Sequence, residues 1–219
     1  MTGESLTPEQ AHELLDLMSK SGGFDQGMDS GTALTLADIA LQIGQPERAE
    51  DLISHAIELA KENEDKDQLA WALLTKARIT FDGEALAEAD EWVSISEDDW
   101  LRSAYNNQCG IHALESDDIP AAKAAFAQSL ALKEMLEDVV GQANTLYNLG
   151  EISRGEGNIE QAKAFHGRCV DLLEELDDKK GMVNGLAILA HLEAMEDNVD
   201  GAIIHYEAAL EIAEKEEDF

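Results

Sequence analysis

Aromatic side chains make up only 5% of the 219 residues, proline occurs three times and cysteine twice. A chain this poor in aromatics and rich in Ala, Leu and Glu favours helix over strand. Cys109 and Cys169 stand far apart without metal-ligand spacing, so neither a disulfide framework nor a zinc site is expected. No apolar run approaches the roughly 18 residues that a membrane-spanning helix requires. The opening segment MTGESLTPEQ has neither a basic n-region nor an apolar h-region, so no secretory signal is visible and a soluble, cytoplasmic protein is expected.

Positive charge is the other shortage. Fifteen Lys and Arg face 47 Asp and Glu, a formal net charge of −32, whereas small domains more often lie within about 2–8 charges of neutrality. Such a surface repels phosphate backbones and anionic headgroups, so no nucleic acid and no membrane partner is expected. Two readings of the charge stay open: a solvated coat for solubility or a salt-rich cytoplasm, or a surface that steers a basic partner.

Hydrophobic residues reach 44%, enough for a folded core. Residues 1–29 read as an N-terminal helix and linker. The helix runs from Pro8 to about Lys20, with Thr7 as N-cap, Ala11, Leu14, Leu15 and Met18 on one face, and Gly22-Gly23 as its stop. Residues 30–219 read as a repeat array with copies starting near 30, 70, 103, 143 and 183.

The array is carried by an order of small and larger residues that returns five times. Ala37, Gly44, Ala49, Ile53 and Ala56 set the pattern. Ala77, Ala89 and Val93 follow at a step of 40, and Gly110, Asp117, Ala122, Phe126 and Ser129 come after a shorter step of 33. Gly150, Gly157, Ala162, His166 and Cys169 return to the longer step, as do Ala190, Asp197, Ala202, Tyr206 and Ala209. Small residues in the middle of one helix let a second helix approach its backbone, and the larger residue fills the remaining gap. The short step implies an irregular joint at Ser94–Trp100, where Ser96 with Glu97, Asp98 and Asp99 reads as a helix N-cap. Helical stretches are expected at Leu52–Lys61 and Lys66–Phe81.

These units resemble tetratricopeptide repeats, whose signature places Leu-Gly in the first helix and Ala-x-x-x-Phe in the second. The best copy is Asn144-Thr-Leu-Tyr-Asn-Leu-Gly150 followed by Gly157-Asn-Ile-Glu-Gln-Ala162. The signature Trp is missing from its usual place, Ala replaces Gly in three copies and no copy keeps the terminal Pro. The long step is similar to that of kinesin light chains, bacterial peptide-responsive regulators and polarity adaptors. The resemblance implies an all-α, right-handed solenoid of about five helix pairs that binds protein or peptide.

Catalytic patterns are missing. His12-Glu13 lacks the second His of a zinc-protease helix, and no phosphate loop or nucleophile elbow is present. His166 and Cys169 fall on repeat positions that pack between helices. Acid runs such as Leu173-Glu-Glu-Leu-Asp-Asp read as solvated faces. The expectation is a non-enzyme without cofactor or metal.

In the resembling family the first helix of each pair lines a concave groove. By that alignment the groove carries Leu34, Asp38 and Leu41; Trp71, Leu74, Arg78 and Phe81; Ala104, Asn107, Ile111 and Leu114; Asn144, Tyr147, Asn148, Glu151 and Arg154; and Asn184, Ala187, His191 and Met195. Two acids face two arginines in a chain that is otherwise strongly acidic. Asn can hold a peptide backbone as donor and acceptor, and Trp, Tyr and Arg are favoured at binding hot spots. The candidate partner-binding residues are therefore Trp71, Arg78, Asn107, Asn144, Tyr147, Asn148, Arg154, Asn184 and His191. The aliphatic positions read equally well as packing between repeats. No lysine occupies these positions and Leu34 stands where a carboxylate-clamp lysine would be, which argues against binding an acidic chaperone tail.

The primary expectation is a protein-interaction scaffold; the alternative is a peptide-sensing regulatory module. At the C-terminal end, Ile203, Ile204, Leu210 and Ile212 predict an apolar face that either self-associates, through Ile204 and Leu210, or docks a partner.

Overall fold

The computed structural model describes residues 28–217. The expected helix at Pro8–Lys20 and His12 lie outside the described residues. Among the described residues ten α-helices follow one another: α1 (Ser30–Gln42), α2 (Pro46–Glu62), α3 (Lys66–Thr80), α4 (Gly83–Val93), α5 (Asp99–Glu115), α6 (Ile119–Met135), α7 (Val139–Gly155), α8 (Ile159–Glu175), α9 (Lys179–Met195) and α10 (Val199–Glu217). They form five pairs. No strand occurs among the described residues.

A single linker device joins most of these helices. From α5 to α10 every linker has three residues, and the helices α5 to α9 are all of one length, 17. Two such helices and two linkers make up the long repeat step. The middle residue of each linker is left-handed: Asp117 (φ 57°), Glu137 (φ 56°), Gly157 (φ 76°), Asp177 (φ 56°) and Asp197 (φ 59°). The third residue donates its N–H to a carbonyl five positions back, as Asp138 does to Lys133 at 2.9 Å, tying off the helix end. Its side chain then caps the next helix. Asp118, Asp138, Asn158, Asp178 and Asn198 accept from the N–H of Ala121, Gly141, Gln161, Gly181 and Gly201 at 2.9–3.3 Å. Each such cap contributes about 1 kcal/mol.

The regularity breaks around α4. This helix is short, at 11 residues. The linker before it has two residues and the linker after it has five. Phe81 takes the left-handed position (φ 53°), so α3 ends at Thr80 rather than running to Phe81. The cap of α5 also differs from expectation. Asp98, not Ser96, accepts from the N–H groups of Trp100 (2.8 Å) and Leu101 (3.3 Å). Ser96 is buried, and its Oγ accepts from the Asp98 N–H at 3.0 Å. A carboxylate one residue before the helix reaches two free N–H groups, which a single hydroxyl further back does not.

The chain divides into two compact units, with the boundary between Gln108 and Cys109 inside α5. In the first unit, Leu36, Ala37, Ala40, Ala49, Leu52 and Ile53 form the core of the opening pair. In the second, Ala122, Phe126, Leu130, Ala143, Leu146, Leu149, Ile152 and Cys169 form one cluster across α6, α7 and α8. Full burial of a residue such as Phe126 stabilises by about 2–3 kcal/mol.

Candidate protein-binding face

The first helices α7 and α9 carry the candidate residues of the second unit. On α7, Asn144, Tyr147 and Arg154 are exposed and Asn148 is half-buried; on α9, Asn184 and His191 are exposed. Helical spacing of three and four puts Asn144, Tyr147, Asn148, Glu151 and Arg154 on one side of α7.

That side is anchored from below. The ring of Tyr147 meets the imidazole of His166 edge-on, with centroids 5.6 Å apart and planes at 78°, while 45% of Tyr147 stays exposed. His166 itself is buried on α8, at 1% exposure. Its Nε2 lies 3.3 Å from Glu151 Oε1. Nε2 is buried and makes no hydrogen bond of good geometry. Burial lowers the His166 pKa, with Glu151 opposing and Arg154 adding to the shift. Glu151 accepts instead from Arg154, at 3.1 Å to Nε and 2.5 Å to a terminal nitrogen. The hydrogen bond from Arg154 is the main cause holding the Glu151 pKa down.

In the first unit, Trp71 is half-buried on α3 and Leu74 is fully buried, so Leu74 belongs to the core and not to a binding face. Arg78 donates to Asp38 Oδ1 on α1 at 2.6 Å, joining equivalent positions of two successive first helices. Asn107 is half-buried on α5. The two acids and two arginines among the candidate positions thus pair one to one, Asp38 with Arg78 and Glu151 with Arg154. These faces carry little net charge in a chain of −32.

Sequence reasoning did not find the cleft of about 510 Å³ between α6 and α8, lined by Ala127, Leu130, Phe165 and Arg168 among others. It also missed the buried Lys133, whose Nζ donates to Thr145 Oγ1 at 2.8 Å. Desolvation lowers the Lys133 pKa, against the attraction of Asp138. Lys133 stands one repeat step before Leu173, so only alignment of the copies reveals a cation at an otherwise apolar position. Among the described residues no group of three or more His, Cys, Asp and Glu could hold a metal, and no helix is long and apolar enough to cross a membrane.

Residues 143–172, which contain this α7–α8 face, match the tetratricopeptide repeat family model. The α7–α8 pair is thus a tetratricopeptide repeat by sequence. No curated protein matches it in sequence. Solved structures share its fold. BtubC (BKLC) from P. vanneervenii is 16% identical, with a TM-score of 0.74 over 97% of this chain and 91% of that one. Aspartyl phosphate phosphatase F from Bacillus subtilis is 14% identical, with a TM-score of 0.72 over 97% of this chain and 57% of that one. MamA 41-end from Desulfovibrio magneticus RS-1 is 16% identical, with a TM-score of 0.60 over 86% of this chain and 97% of that one. At these identities the likeness is one of fold. Tetratricopeptide repeats commonly serve in protein interaction, and the α7–α8 pair matches that repeat.

Proposed function

We propose that the protein is a non-enzymatic scaffold that holds an extended segment of a partner protein against the first-helix face of its fourth pair. Asn144 and Asn148 would bond the partner backbone, and Tyr147 and Arg154 would hold its side chains; Asn184 and His191 would extend the contact on α9. The observation that carries this reading is the support of Tyr147. A buried ring fixes its edge while nearly half of the side chain remains exposed, so little side-chain freedom is lost when a ligand covers it. Pairing of Glu151 with Arg154 adds to the case, since it removes the repulsion that an unpaired acid would impose on a peptide carbonyl or carboxylate. In the first unit, Trp71, Arg78 and Asn107 would serve in the same way.

Display of a random peptide library against the purified protein tests the proposal. Enriched peptides should lose at least about tenfold in affinity, or about 1.4 kcal/mol, on the triple variant Tyr147→Ala, Asn148→Ala, Arg154→Ala with helicity unchanged. Peptides that bind both proteins equally would place the binding surface elsewhere.

A further inference from the structure

On α10, Val199, Ile203, Tyr206 and Leu210 are 47–64% exposed. Their spacing of four, three and four aligns them in one apolar stripe. Earlier pairs show what covers the equivalent stripe. Leu210 stands one repeat step after Val170 and two after Leu130. Val170 is met by α9 at Gly185, where an added Cβ would come within 2.5 Å of its Cγ2. Leu130 is buried in one cluster with Ala143 and Leu146 of α7. In both cases a helix of the next pair covers this position, with Gly185 or Ala143 among the covering residues.

Two substitutions set α10 apart from α6 and α8. Ile203 replaces Lys123 and Lys163, whose ammonium groups reach Glu156 (2.7 Å) and Glu196 (2.6 Å) on the linkers that follow α7 and α9. Tyr206 replaces Phe126 and His166, whose rings pack on Gly110 and Gly150; the facing position here is Ala190, and Tyr206 is 51% exposed. Ile203 in place of a lysine makes the stripe more apolar than its internal counterparts.

Its edge is more acidic. Where α6 has Ala127, Ala131 and Glu134, and α8 has Gly167, Asp171 and Glu174, α10 has Glu207, Glu211 and Glu214, of which Glu211 accepts from Lys215 at 2.8 Å. At that edge Glu134 accepts from Arg168 of α8 at 2.7 Å, so the fold already meets this edge with a base.

We propose that the exposed face of α10 docks an amphipathic helix of another protein. Its apolar seam would carry a small residue over Leu210, and its lysines or arginines would lie toward Glu207 and Glu214, beside the Glu211–Lys215 pair. A second copy of this chain fits poorly, because it would bring a further charge of −32 to the same acidic edge. The surface is separate from the face of α7, and the two proposals stand or fall independently.

Three labelled helical peptides test the proposal by fluorescence anisotropy on the full chain. One has a Leu/Ala seam flanked by Lys, one the same seam flanked by Glu, and one a Ser seam flanked by Lys. The first should bind at least about tenfold more tightly than either control. Ile203→Glu with Leu210→Glu should abolish that preference, whereas the Tyr147, Asn148, Arg154 triple variant should leave it intact. Should the double variant fail to fold, Glu207→Lys with Glu211→Lys should shift the preference to the Glu-flanked peptide. Equal binding of both Lys-flanked peptides, absence of binding, or a dimer in sedimentation that Leu210→Glu dissolves would overturn it.

Discussion

His166 packs directly on Gly150: a Cβ added to the glycine would come within 2.6 Å of Nε2 and 2.8 Å of two ring carbons. Phe126 meets Gly110 in the same way, at 2.7–2.8 Å. In the first two pairs the corresponding residues are Ala37 with Ile53 and Ala77 with Val93, all four buried. Ring with glycine and branched aliphatic with alanine are two ways of filling one gap.

Gly150→Ala should therefore destabilise by about 1–2 kcal/mol, since overpacking outweighs the roughly 1 kcal/mol that alanine gains in helix propensity. Adding His166→Val should recover most of the loss, although Val alone leaves a cavity. Denaturant midpoints of the two single variants and the double variant should give a coupling of at least about 1 kcal/mol. Additive effects would show that the two residues do not share the gap.

Acid should weaken the fourth pair through the same imidazole. Burial lowers the His166 pKa below its ordinary value, so the unfolded chain binds the proton more readily than the folded one. The contribution of neutral His166 is complete above the unfolded pKa of about 6.5 and declines as pH falls through it. His166→Phe, which copies Phe126, should reduce the loss of thermal stability between pH 7.5 and pH 5.5, a range spanning that value of about 6.5. The partly opposing attraction of Glu151 makes this dependence shallow, and equal slopes for both proteins would contradict it.

The linkers offer a test by substitution. Glu137 and Asp177 hold left-handed backbone in linkers between pairs, and Gly157 holds it in a linker within one. Glu137→Gly should stabilise by up to about 1 kcal/mol, as relief of strain exceeds the added chain entropy, while Gly157→Ala should cost about as much. Chemical denaturation measures both, and a fall in stability for Glu137→Gly would mean that its side chain matters more than its backbone.

Lys163 reaches Glu160, Glu193 and Glu196 at 2.9, 3.4 and 2.6 Å, and the hydrogen bond to Glu196 is the main cause that raises its pKa. Lys123, at the same register of the preceding pair, meets Glu156 at 2.7 Å. Lys163→Met should cost more than Lys123→Met, about 1 kcal/mol against about half that, because it leaves three acids facing one another. Raising NaCl from about 0.05 to 1 M should narrow the gap by screening. In a chain of −32, the same salt should stabilise the parent protein.

The repeat was legible because close helix contact constrains residue size: Ala49, Ala89, Ala122, Ala162 and Ala202 are all buried at the same register. The linkers hid their regularity because a left-handed position accepts several residue types, here Asp, Glu and Gly. Asp98 outcompeted Ser96 through geometry that a run of three acids does not disclose. At the candidate site, Tyr147, Asn144 and Asn184, placed on one face by alignment with the resembling repeat, are exposed. What spacing could not supply was the pairing of Asp38 with Arg78 and of Glu151 with Arg154, which depends on side-chain reach.

Equal helices and equal linkers also determine how the chain could change in length. The linkers before α7 and α9 are Leu136-Glu137-Asp138 and Leu176-Asp177-Asp178, each with a left-handed acid and an aspartate cap. Excising 139–178, or copying it in tandem, joins helix ends that already use the same backbone geometry. Growth or shrinkage by one whole pair preserves the caps of the helices that remain, whereas loss of a single residue within a helix would turn the residues after it by about 100° against their neighbours. The architecture counts in pairs.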